Sequence, residues 1–556
     1  MSVVPGNRAR HYSVPEEPTV YRPPVSPRPS EERPPGHRTA ETETEAEVAG
    51  ELAAVRPGLV PRYTAALPSA RAAVLTRLWR ALAHEPLPWI SRRVPGAGGL
   101  LLRLADGRVL RGPHPDPYAT GDHVTAVHLD GVAHVDPARL MTDLAVPHAT
   151  AFAAELGHSV ASLALSRAGG PDHPGHREEW PVGVLAGEGP EGDWEWEQRV
   201  VDGHPFHPAC RSRPGFSVAE QLAYGPEHRP VVELGTVPVP ARECLLTGLW
   251  PDELRDGEEL LVPVHPWQAA HVLKRPCDAW SDARPLMSLR TLALPGPGGP
   301  HVKTALSARL TSSVRDISAY SVGASATLSA FAEDLAARTD GLLHVTRTLG
   351  AVSAGSPDLA ALLRESPRLY ASADEHVLPV AALATTALPR SPAWLAEFTR
   401  LALRVGLRLL ELGVALEAHG QNLLVILSPD GRPRRLVYRD LADIRISPAR
   451  LTRRGITPPG LTGRLVTDDE TALRRKLFGS LVAGALAATA GSGPALATAL
   501  AAAVRDLPPG PDLTALREDP LPTKALTLMR LSPGTPGDQW ATLPNPLVLE
   551  PGTRDQ

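Results

Sequence analysis

The feature that most constrains the fold is a polar cluster that runs directly into an apolar strand, in residues 417–427. Before the strand come an acid, an imidazole and two amides: Glu417, His419, Gln421 and Asn422. Residues 428–435 follow with an Asp-Gly pair and two prolines, which is typical of a chain reversal, and a second apolar run comes next. The sequence therefore predicts a β-hairpin whose polar residues gather at its open end.

The pairing of this hairpin decides which polar residues meet. If the two strands pair symmetrically about Gly431, Asn422 faces Asp440. Glu417 and Gln421 then lie close by on the entering loop. Oxygen ligands hold Mg²⁺ in proteins and usually share it with substrate phosphates. We therefore expect Mg²⁺ and a nucleotide phosphate at the open end of the hairpin, provided that another segment supplies positive charge.

A cationic strand is predicted in residues 302–310. Apolar and polar side chains alternate there, which is the period of a strand with one apolar face, and the other face carries Lys303 and Arg309. The alternative is an exposed strand whose charged face is simply solvated. A second short segment, Ser-Leu-Arg-Thr at residues 288–291, favours an anion site because it adds another arginine and two hydroxyl groups.

The residues at the end of this strand also indicate an anion-binding site. Thr311, Ser312 or Ser313 is expected to cap a helix, because hydroxyl side chains accept the free N–H groups of a first turn. The N-terminus of such a helix, together with Arg315, would attract an anion. Arginine offers two parallel contacts to phosphate or carboxylate, so Arg315 is a candidate ligand.

Two histidines, His204 and His207, lie on a loop stiffened by prolines, and Arg211 and Arg213 follow closely. The side chains of such a loop can bind a polycarboxylate. Alternatively, its histidines can form hydrogen bonds with neighbouring backbone groups. Both interpretations stay open. A zinc site is disfavoured because no third histidine, cysteine or carboxylate lies at ligand spacing nearby.

Composition narrows the function classes. A formal net charge of −4 over 556 residues and a pI of about 6.6 disfavour a general nucleic-acid binder. Three cysteines without metal-ligand spacing indicate reduced thiols. The first residues lack an apolar signal core, and no run of about 18 apolar residues occurs later. We therefore expect a soluble cytoplasmic protein that does not bind a membrane.

Helix and strand patterns alternate along the chain, which predicts an α+β fold. Helical spacing is clear in residues 72–82, 150–168 and 394–416, and a hairpin is predicted in residues 100–109 around Asp-Gly. Residues 1–45 are rich in proline and then acidic, so a disordered tail is predicted there.

These motifs together resemble the IucA/IucC family, whose members build siderophores without a peptide-synthetase assembly line. The resemblance covers about residues 50–540 and leaves out the proline-rich tail. The matching segments occur in the family's order, and they are residues 203–208, 213–217, 265–268, 288–291, 303–315, 417–422 and 439–440. Several ordered motifs are much more specific than any one of them.

The resemblance implies a hand-like architecture in which a kinase-like hairpin forms part of the active site. The implied lobes are a thumb (46–190), fingers with basic ATP- and carboxylate-binding segments (191–375) and a palm (376–556). It also implies a homodimer. The implied activity is ATP-dependent adenylation of a carboxylic acid, commonly citrate or a succinyl derivative. An amine or alcohol then attacks to give an amide or ester.

Site residues follow from the same resemblance. The implied catalytic residues are Lys303, Arg315, His419 and His204. The implied nucleotide contacts are Ser288, Arg290, Thr291, Lys303, Gln421, Asn422 and Asp440, and the implied Mg²⁺ ligands are Glu417 and Asp440. Either His419 or His204 is a candidate for taking a proton from the attacking amine. At position 211 many family members carry lysine, so the arginine there leaves the carboxylate specificity open.

Two alternatives remain. A kinase-like phosphotransferase also has a His-Gly-x-Asn motif before a hairpin and a metal-binding aspartate, but position 421 is Gln where a catalytic Asp is expected. A non-catalytic protein that binds a siderophore or carboxylate would keep the scaffold without the reaction. The retention of Lys303, Arg315, His419 and Asp440 argues against it.

Overall fold

The computed structural model describes residues 40–169, 192–310 and 313–548. Within this part of the chain, three large clusters of buried apolar side chains organise the fold. One is mostly N-terminal, one lies mainly within residues 216–363, and one is mostly C-terminal. Helices and strands contribute to all three regions, so the fold is mixed α and β.

The N-terminal region combines four helices with a five-stranded antiparallel sheet in the order β1-β2-β3-β4-β5. Its helices are α1 Ala40–Val55, α2 Val60–His84, α3 Pro137–Leu144 and α4 Ala149–Gly169. Its strands are β1 Ile90–Gly96, β2 Gly99–Leu104, β3 Val109–Gly112, β4 Val127–Leu129 and β5 Val132–His134. The predicted hairpin around Asp-Gly is confirmed as β2 and β3.

The predicted disordered tail reaches too far into the chain. Residues 1–39 lie outside the described residues, but α1 already begins at Ala40. Glu45, expected in the tail, is buried and accepts a hydrogen bond of 2.9 Å from Nε of Arg71. The acidic run is helical because the same helix buries Val48 and Leu52 in the N-terminal cluster.

The central region is built on a sheet of nine described strands, in the order β7-β16-β17-β12-β11-β10-β6-β9-β8. Its helices are α5 Trp194–Gln198, α6 Val218–Tyr224, α7 Pro266–Gln268 and α8 Ala319–Ala336. Its strands are β6 Val232–Pro240, β7 Leu245–Gly248, β8 Arg255–Asp256, β9 Glu259–Val264, β10 Asp278–Pro285, β11 Thr291–Ala293, β12 His301–Thr304, β13 Leu306–Leu310, β14 Ser313–Arg315, β15 Leu343–Val345, β16 Thr348–Ser353 and β17 Ala360–Arg364.

The predicted cationic strand is interrupted in the structure. Residues 302–310 divide between β12, in the large sheet, and β13, which pairs with β14 in a separate hairpin. The expected helix cap is wrong at Ser313, which begins β14, while Thr311 and Ser312 lie outside the described residues. The next helix, α8, is instead capped by Ser318, whose Oγ accepts a hydrogen bond from the N–H of Ser321.

The C-terminal region contains most of the remaining helices and a four-stranded sheet in the order β15-β21-β20-β18. Its helices are α9 Val380–Leu383, α10 Pro392–Leu412, α11 Pro448–Arg453, α12 Glu470–Leu477, α13 Ala487–Ala490, α14 Gly493–Ala503, α15 Pro511–Glu518 and α16 Leu526–Leu531. Its strands are β18 His376–Pro379, β19 Val414–Ala415, β20 Leu423–Leu427, β21 Pro433–Tyr438, β22 Arg445–Ile446, β23 Leu521–Lys524 and β24 Trp540–Leu543.

The predicted hairpin forms from β20 and β21, but its register differs by one residue from the symmetric expectation. Leu423 pairs with Tyr438, and the N–H of Arg439 donates to the carbonyl of Asn422, so Asn422 faces Arg439 and not Asp440. The turn is centred on Asp430 and not on Gly431, because the N–H of Ser428 donates to the carbonyl of Arg432, and a register shift beside the turn then moves the pairing by one residue. Strand β20 is apolar throughout because both of its faces are buried.

Helix α10 leads towards this hairpin but ends earlier than residue 416. Its last residue is Leu412, and Gly413 follows with a φ of 115°. This left-handed conformation suits glycine and ends the helix, because other residues adopt it only with strain. Strand β19 then carries the chain to the polar cluster.

The end of the described chain returns to the N-terminal region. The Glu85 carboxylate accepts hydrogen bonds from the N–H groups of Thr527 (3.1 Å) and Leu528 (2.7 Å), at the start of α16. Arg530 forms an ion pair with Glu155 of α4. The first and last parts of the described chain therefore pack as one body.

No single helix in the described ranges is long and apolar enough to cross a membrane. Only the pair Glu470–Ala490 and Gly493–Asp506 meets that requirement by length and composition, and the two stretches are bent by 118°.

Replacement of Glu85 by glutamine tests the contact between the two ends. Burial raises the pKa of Glu85 from 4.5 to about 7, although the N–H groups of Leu528 and Thr527 oppose the shift. Because the folded pKa is raised, the contribution of Glu85 to stability is complete below pH 4.5 and is lost as the pH rises to about 7. Between these pH values the free energy of unfolding of the wild type should fall, relative to that of E85Q, by on the order of 1 kcal/mol per pH unit.

Urea unfolding of both proteins at pH 5 and pH 7.5 measures the difference. E155Q, at a part-exposed ion pair, is the control and should keep the pH dependence of the wild type. A pH dependence in E85Q equal to that of the wild type would contradict the assignment.

Candidate active site

A cavity of about 1400 Å³ lies where the central and C-terminal sheets approach each other. The structure brings all of the predicted site residues to its wall. They are His204, Ser288, Arg290, Thr291, Lys303, Arg315, Glu417, His419, Gln421, Asn422 and Asp440. Segments more than 200 residues apart in the sequence therefore meet around one space.

The cavity wall is strongly cationic. Among the described residues, fourteen arginine and lysine side chains line it, against seven carboxylates. An excess of fixed positive charge in a concave, partly desolvated space concentrates anions. The chain as a whole is slightly acidic, so this charge distribution is local.

Asp440 is the centre of one cationic cluster. Its Oδ2 accepts a hydrogen bond of 2.6 Å from Nζ of Lys303, and its Oδ1 accepts one of 3.1 Å from Arg364. Lys303 lies on β12 and Arg364 on the neighbouring β17, where Arg364 pairs with His301. Side chains two residues apart on a strand share a face, so both cations point to the side from which Asp440 enters.

The charges in this cluster shift one another's protonation. Burial lowers the pKa of Lys303 to about 7; Asp440 opposes the shift, and Arg290 and Arg364 add to it. Burial acts to raise the pKa of Asp440, but Arg364 and Lys303 hold it well below its usual range. The single negative charge of Asp440 therefore does not neutralise the positive charge around it. The remaining positive charge favours the binding of a second anion.

The loop before β11 is held by its own hydrogen bonds. Oγ of Ser288 accepts the N–H of Thr291 at 3.1 Å, and Leu289 adopts a φ of 62°. Arg290 donates to the carbonyls of Arg315 (2.6 Å) and Asp316 (2.7 Å). Burial lowers the pKa of Arg290 to about 10, and the group keeps its charge at neutral pH. Arg290 thereby fixes the position of Arg315.

The two predicted catalytic histidines share a hydrogen-bonding pattern. Nδ1 of His204 accepts from the N–H groups of Phe206 (3.2 Å) and His207 (3.1 Å), and Nδ1 of His419 accepts from that of Gln421 (3.2 Å). A backbone N–H can only donate, so Nδ1 carries no proton and the neutral ring carries it on Nε2. In this arrangement both histidines are hydrogen-bond donors at Nε2, and the role of either one as a proton acceptor stays a prediction.

Burial keeps both rings neutral. It lowers the pKa of His204 well below its usual value, with His207 and His419 acting in the same direction. Burial also lowers the pKa of His419, although Glu417 opposes the shift. Neutral Nε2–H donors can bind an oxyanion without adding a full charge.

Glu417 is the centre of a second cluster. Its Oε1 lies 3.1 Å from Nζ of Lys476 and 3.2 Å from Nζ of Lys524. Lys476 also lies 3.5 Å from Asp443, and Lys524 lies 3.2 Å from Asp538. Acids and lysines thus alternate along one side of the cavity, and Lys476 and Lys524 are held by this alternation.

Arg211 lines the cavity but is bound by protein groups. Its Nε donates to the carbonyl of Val201 at 2.7 Å, and its Nη1 lies 3.4 Å from the fully buried carboxylate of Glu227. Arg213 forms a second ion pair with Glu227, at 2.7 Å. The two arginines therefore hold the segment that follows the His204 loop.

The predicted metal ligands do not form a ready-made metal cage. No three histidine, cysteine or acidic side chains converge for a metal ion within the ranges that the structure describes. Glu417 and Asp440 each lie against two cations. The oxygen donors Glu417, Asp440 and Asn422 on one cavity wall fit Mg²⁺ only if phosphate oxygens supply most of its ligands.

Several charged residues of the cavity escaped the sequence motifs. They are Arg364, Lys476 and Lys524. Arg364 ends the buried apolar strand β17, and a lone cation in such a strand is the one signal that points to it. Lys476 follows two arginines in α12, so it does not stand out in the sequence. Lys524 carries no such signal, because its place depends on the return of the C-terminal segment.

Comparison with known proteins confirms the predicted resemblance. Residues 193–385 match the model of the IucA / IucC family, and this range holds the His204 loop and Lys303. Residues 392–535 match a second model, the ferric iron reductase FhuF-like transporter. That range contains no cysteine, so it offers no thiolate ligand for iron.

Curated relatives of this chain include named ligases. A citryl-spermidine/3,4-dihydroxybenzoyl-citryl-spermidine:spermidine ligase of Bacillus anthracis is 22% identical over 311 residues, covering 44% of this chain and 50% of the relative. A D-ornithine–citrate ligase of Staphylococcus aureus is 22% identical over 366 residues, covering 51% and 55%. The chain thus spans about half the length of the curated relatives it matches.

Solved structures share the fold over most of their length. The petrobactin biosynthesis protein AsbB from Bacillus anthracis superposes with a TM-score of 0.70 and 17% identity, covering 92% of this chain and 98% of the other. The ATP-bound aerobactin synthetase IucA from Klebsiella pneumoniae gives a TM-score of 0.66 and 20% identity, covering 87% and 100%. At this identity the likeness shows the fold alone.

Replacement of Asp440 by asparagine tests the electrostatics of the Lys303 cluster. Asparagine tolerates the φ of 71° found at this position, so the backbone should be kept. The loss of the negative charge removes the attraction that opposes burial, so the pKa of Lys303 should fall further below about 7. Competitive acylation across a pH series, read by mass spectrometry of the Lys303 peptide, measures this pKa.

Asp512→Asn is the matched control, because Asp512 pairs with Arg450 away from the cavity. A pKa of Lys303 that rises or stays constant in D440N would rule out the proposed balance of charges.

Proposed function

We propose that this chain is an ATP-dependent siderophore synthetase. It adenylates a carboxylic acid, either citrate or a succinyl derivative, and condenses the acyl group with an amine or alcohol. The products are an amide or ester, AMP and pyrophosphate. The match of residues 193–385 to the IucA / IucC family model and the names of the ligase relatives support this class of reaction.

The observation that carries the proposal is the excess of cations around the single carboxylate of Asp440. Lys303 and Arg364 bind this carboxylate directly, and Arg290 holds the backbone of Arg315 nearby. Joining a carboxylate to ATP brings two anions together, so their repulsion must be screened by fixed positive charge. The IucA neighbour that is described as ATP-bound supports a nucleotide in this fold.

The two proposed steps balance as follows. A carboxylate oxygen of the acid forms a bond to the α-phosphorus of ATP while the bond to pyrophosphate breaks. The nucleophile then attacks the acyl carbon, AMP departs, and the nucleophile releases its proton. Lys303, Arg290 and Arg315 stabilise the negative charge that develops on the phosphoryl oxygens. No covalent bond to the protein is required, so catalysis rests on positioning and electrostatics.

His204 and His419 act in this scheme as donors. Their Nε2–H groups are available to oxyanions in the cavity, because Nδ1 of each ring accepts from the backbone. We assign them to the carboxylate and phosphoryl oxygens of the reacting centre. The proton of the nucleophile then leaves to solvent, and an amine nucleophile reacts in its neutral form.

Mg²⁺ and nucleotide contacts complete the proposal. Ser288, Thr291, Gln421 and Asn422 are assigned to the nucleotide. Mg²⁺, bound through Glu417 or Asp440 together with phosphate oxygens, would neutralise phosphate charge. Because lysines and arginines already cover both carboxylates, those cations must transfer to phosphate oxygens when the nucleotide binds.

The proposed architecture has three lobes: a thumb (46–190), fingers (191–375) and a palm (376–556), with a homodimer as the assembly. The three apolar clusters support this division in outline, although Leu531 belongs to the N-terminal cluster and Leu343 to the C-terminal one.

The nucleotide product separates this proposal from a phosphotransferase. With ATP, Mg²⁺ and a matched acid and amine, we expect AMP and pyrophosphate in equal amounts. A screen of citrate and succinylated diamines against polyamines, hydroxamates and amino acids, read by pyrophosphate release and chromatography of nucleotides, tests reaction and substrate together. ADP as the nucleotide product would support the kinase-like alternative and overturn the proposal.

Replacement of Arg315 or His419 by alanine tests the site assignment. Each variant should lose at least about a hundredfold in kcat, which is typical when a charge-stabilising donor is removed. The melting temperature should stay close to that of the wild type, because both residues line an open cavity. The exposed residue Arg242 provides a control, R242A, with wild-type turnover. Unchanged turnover in R315A and H419A would favour a non-catalytic binding protein.

A further inference from the structure

We infer that the buried ion pair between Arg439 and Glu197 is a positioning element that sets the distance between the two halves of the nucleotide site. The inference rests on the proposed function. Neither residue belongs to the predicted set of site residues, and neither is assigned a contact with substrate. Their role is to hold the groups that do make such contacts.

Arg439 is anchored on the hairpin side of the cavity. It lies between Tyr438 and Asp440, and its N–H donates to the carbonyl of Asn422 at 3.0 Å. Its Nε and Nη2 both donate to the carbonyl of Gln421, at 3.0 and 2.8 Å. The side chain of Arg439 thus fixes the backbone of Gln421, its own N–H fixes that of Asn422, and Asp440 is the next residue in the chain.

Glu197 is anchored on the side of the large sheet. Its Oε1 accepts a hydrogen bond of 2.6 Å from Nη1 of Arg439, and its Oε2 accepts the N–H of Met287 at 3.0 Å. Met287 precedes Ser288, the first residue of the loop that also carries Arg290. The carboxylate of Glu197 therefore bridges the hairpin and this loop.

Helix α5, which carries Glu197, also contacts the sheet at its other end. Asp193 precedes the helix and lies 3.2 Å from Nε2 of His301 on β12, two residues before Lys303. Gln198 donates to the carbonyl of Pro285 at 3.2 Å. A single short helix thus touches the hairpin, the Ser288 loop and the strand of Lys303, and the Arg439–Glu197 pair is its contact with the hairpin.

Burial makes this pair sensitive to change. Arg439 is 7% exposed and Glu197 is 2% exposed. Removal of one partner leaves an uncompensated charge in a poorly hydrated place, so the surrounding segments must move or admit water. Those segments carry proposed nucleotide ligands, and a displacement of about 1 Å is enough to cost up to a hundredfold in a positioned reaction.

The experiment compares this pair with one that is similar in burial and geometry but distant from the cavity. The E197Q variant keeps an acceptor for the N–H of Met287 but loses the negative charge. The R439K variant keeps the positive charge but loses the planar guanidinium group. The controls are D512N and R450K, because Arg450 and Asp512 also form a buried ion pair, at 2.6 Å, and do not line the cavity. All four variants should show lowered melting temperatures.

The nucleotide readout separates positioning from stability. Calorimetric titration of ATP at a temperature well below unfolding should show about a tenfold weaker Kd for E197Q and R439K. D512N and R450K should bind ATP as the wild type does. Equal Kd values in all five proteins would overturn the inference, and so would equal weakening in the control pair. A wild type that binds no ATP would instead refute the proposed function.

Discussion

The structure depends on one requirement: a charge that is buried must meet an opposite charge. Asp440 enters the cavity from the hairpin of the C-terminal region, and the cations that meet it, Lys303 and Arg364, belong to the large central sheet. An unpaired charge here would be costly, so the two regions can only come together in an orientation that closes these contacts. The same contacts gather the positive charge that the proposed anionic substrates require. In this proposal, stability and binding depend on a single cluster.

Backbone groups preorganise much of the rest of the cavity. His204 and His419 are oriented by N–H groups of their own loops, and Ser288 accepts the N–H of Thr291. Such local hydrogen bonds fix a side chain before any ligand arrives, so no reorganisation is needed when charge develops. The arrangement favours electrostatic chemistry. It also occupies Nδ1 of both histidines, which accepts backbone N–H groups.

Sequence patterns predict much of this fold and site, but not their spatial relations. The hairpin, helix α4 and the convergence of the predicted residues are recovered, because periodicity and turn chemistry are local signals. The one-residue register error arose because neither the centre of the turn, at Asp430, nor the register shift beside it leaves a clear trace in the sequence. The early end of the predicted tail and the false helix cap have a different cause. In both places tertiary packing decided between structures that the local sequence allows equally. The placement of Lys524 required the whole fold.

The contact between the two ends of the described chain has a consequence for biosynthesis. Glu85 meets Thr527 and Leu528, which follow it by 442 and 443 residues, and Leu531 belongs to the N-terminal cluster. During translation, domains generally fold from the N-terminus as they emerge from the ribosome. Here the first apolar cluster emerges without its last member, and the Glu85 carboxylate without its partners. The N-terminal region therefore completes its packing only after nearly the whole chain has been synthesised, and until then it presents an unfinished surface to chaperones and proteases.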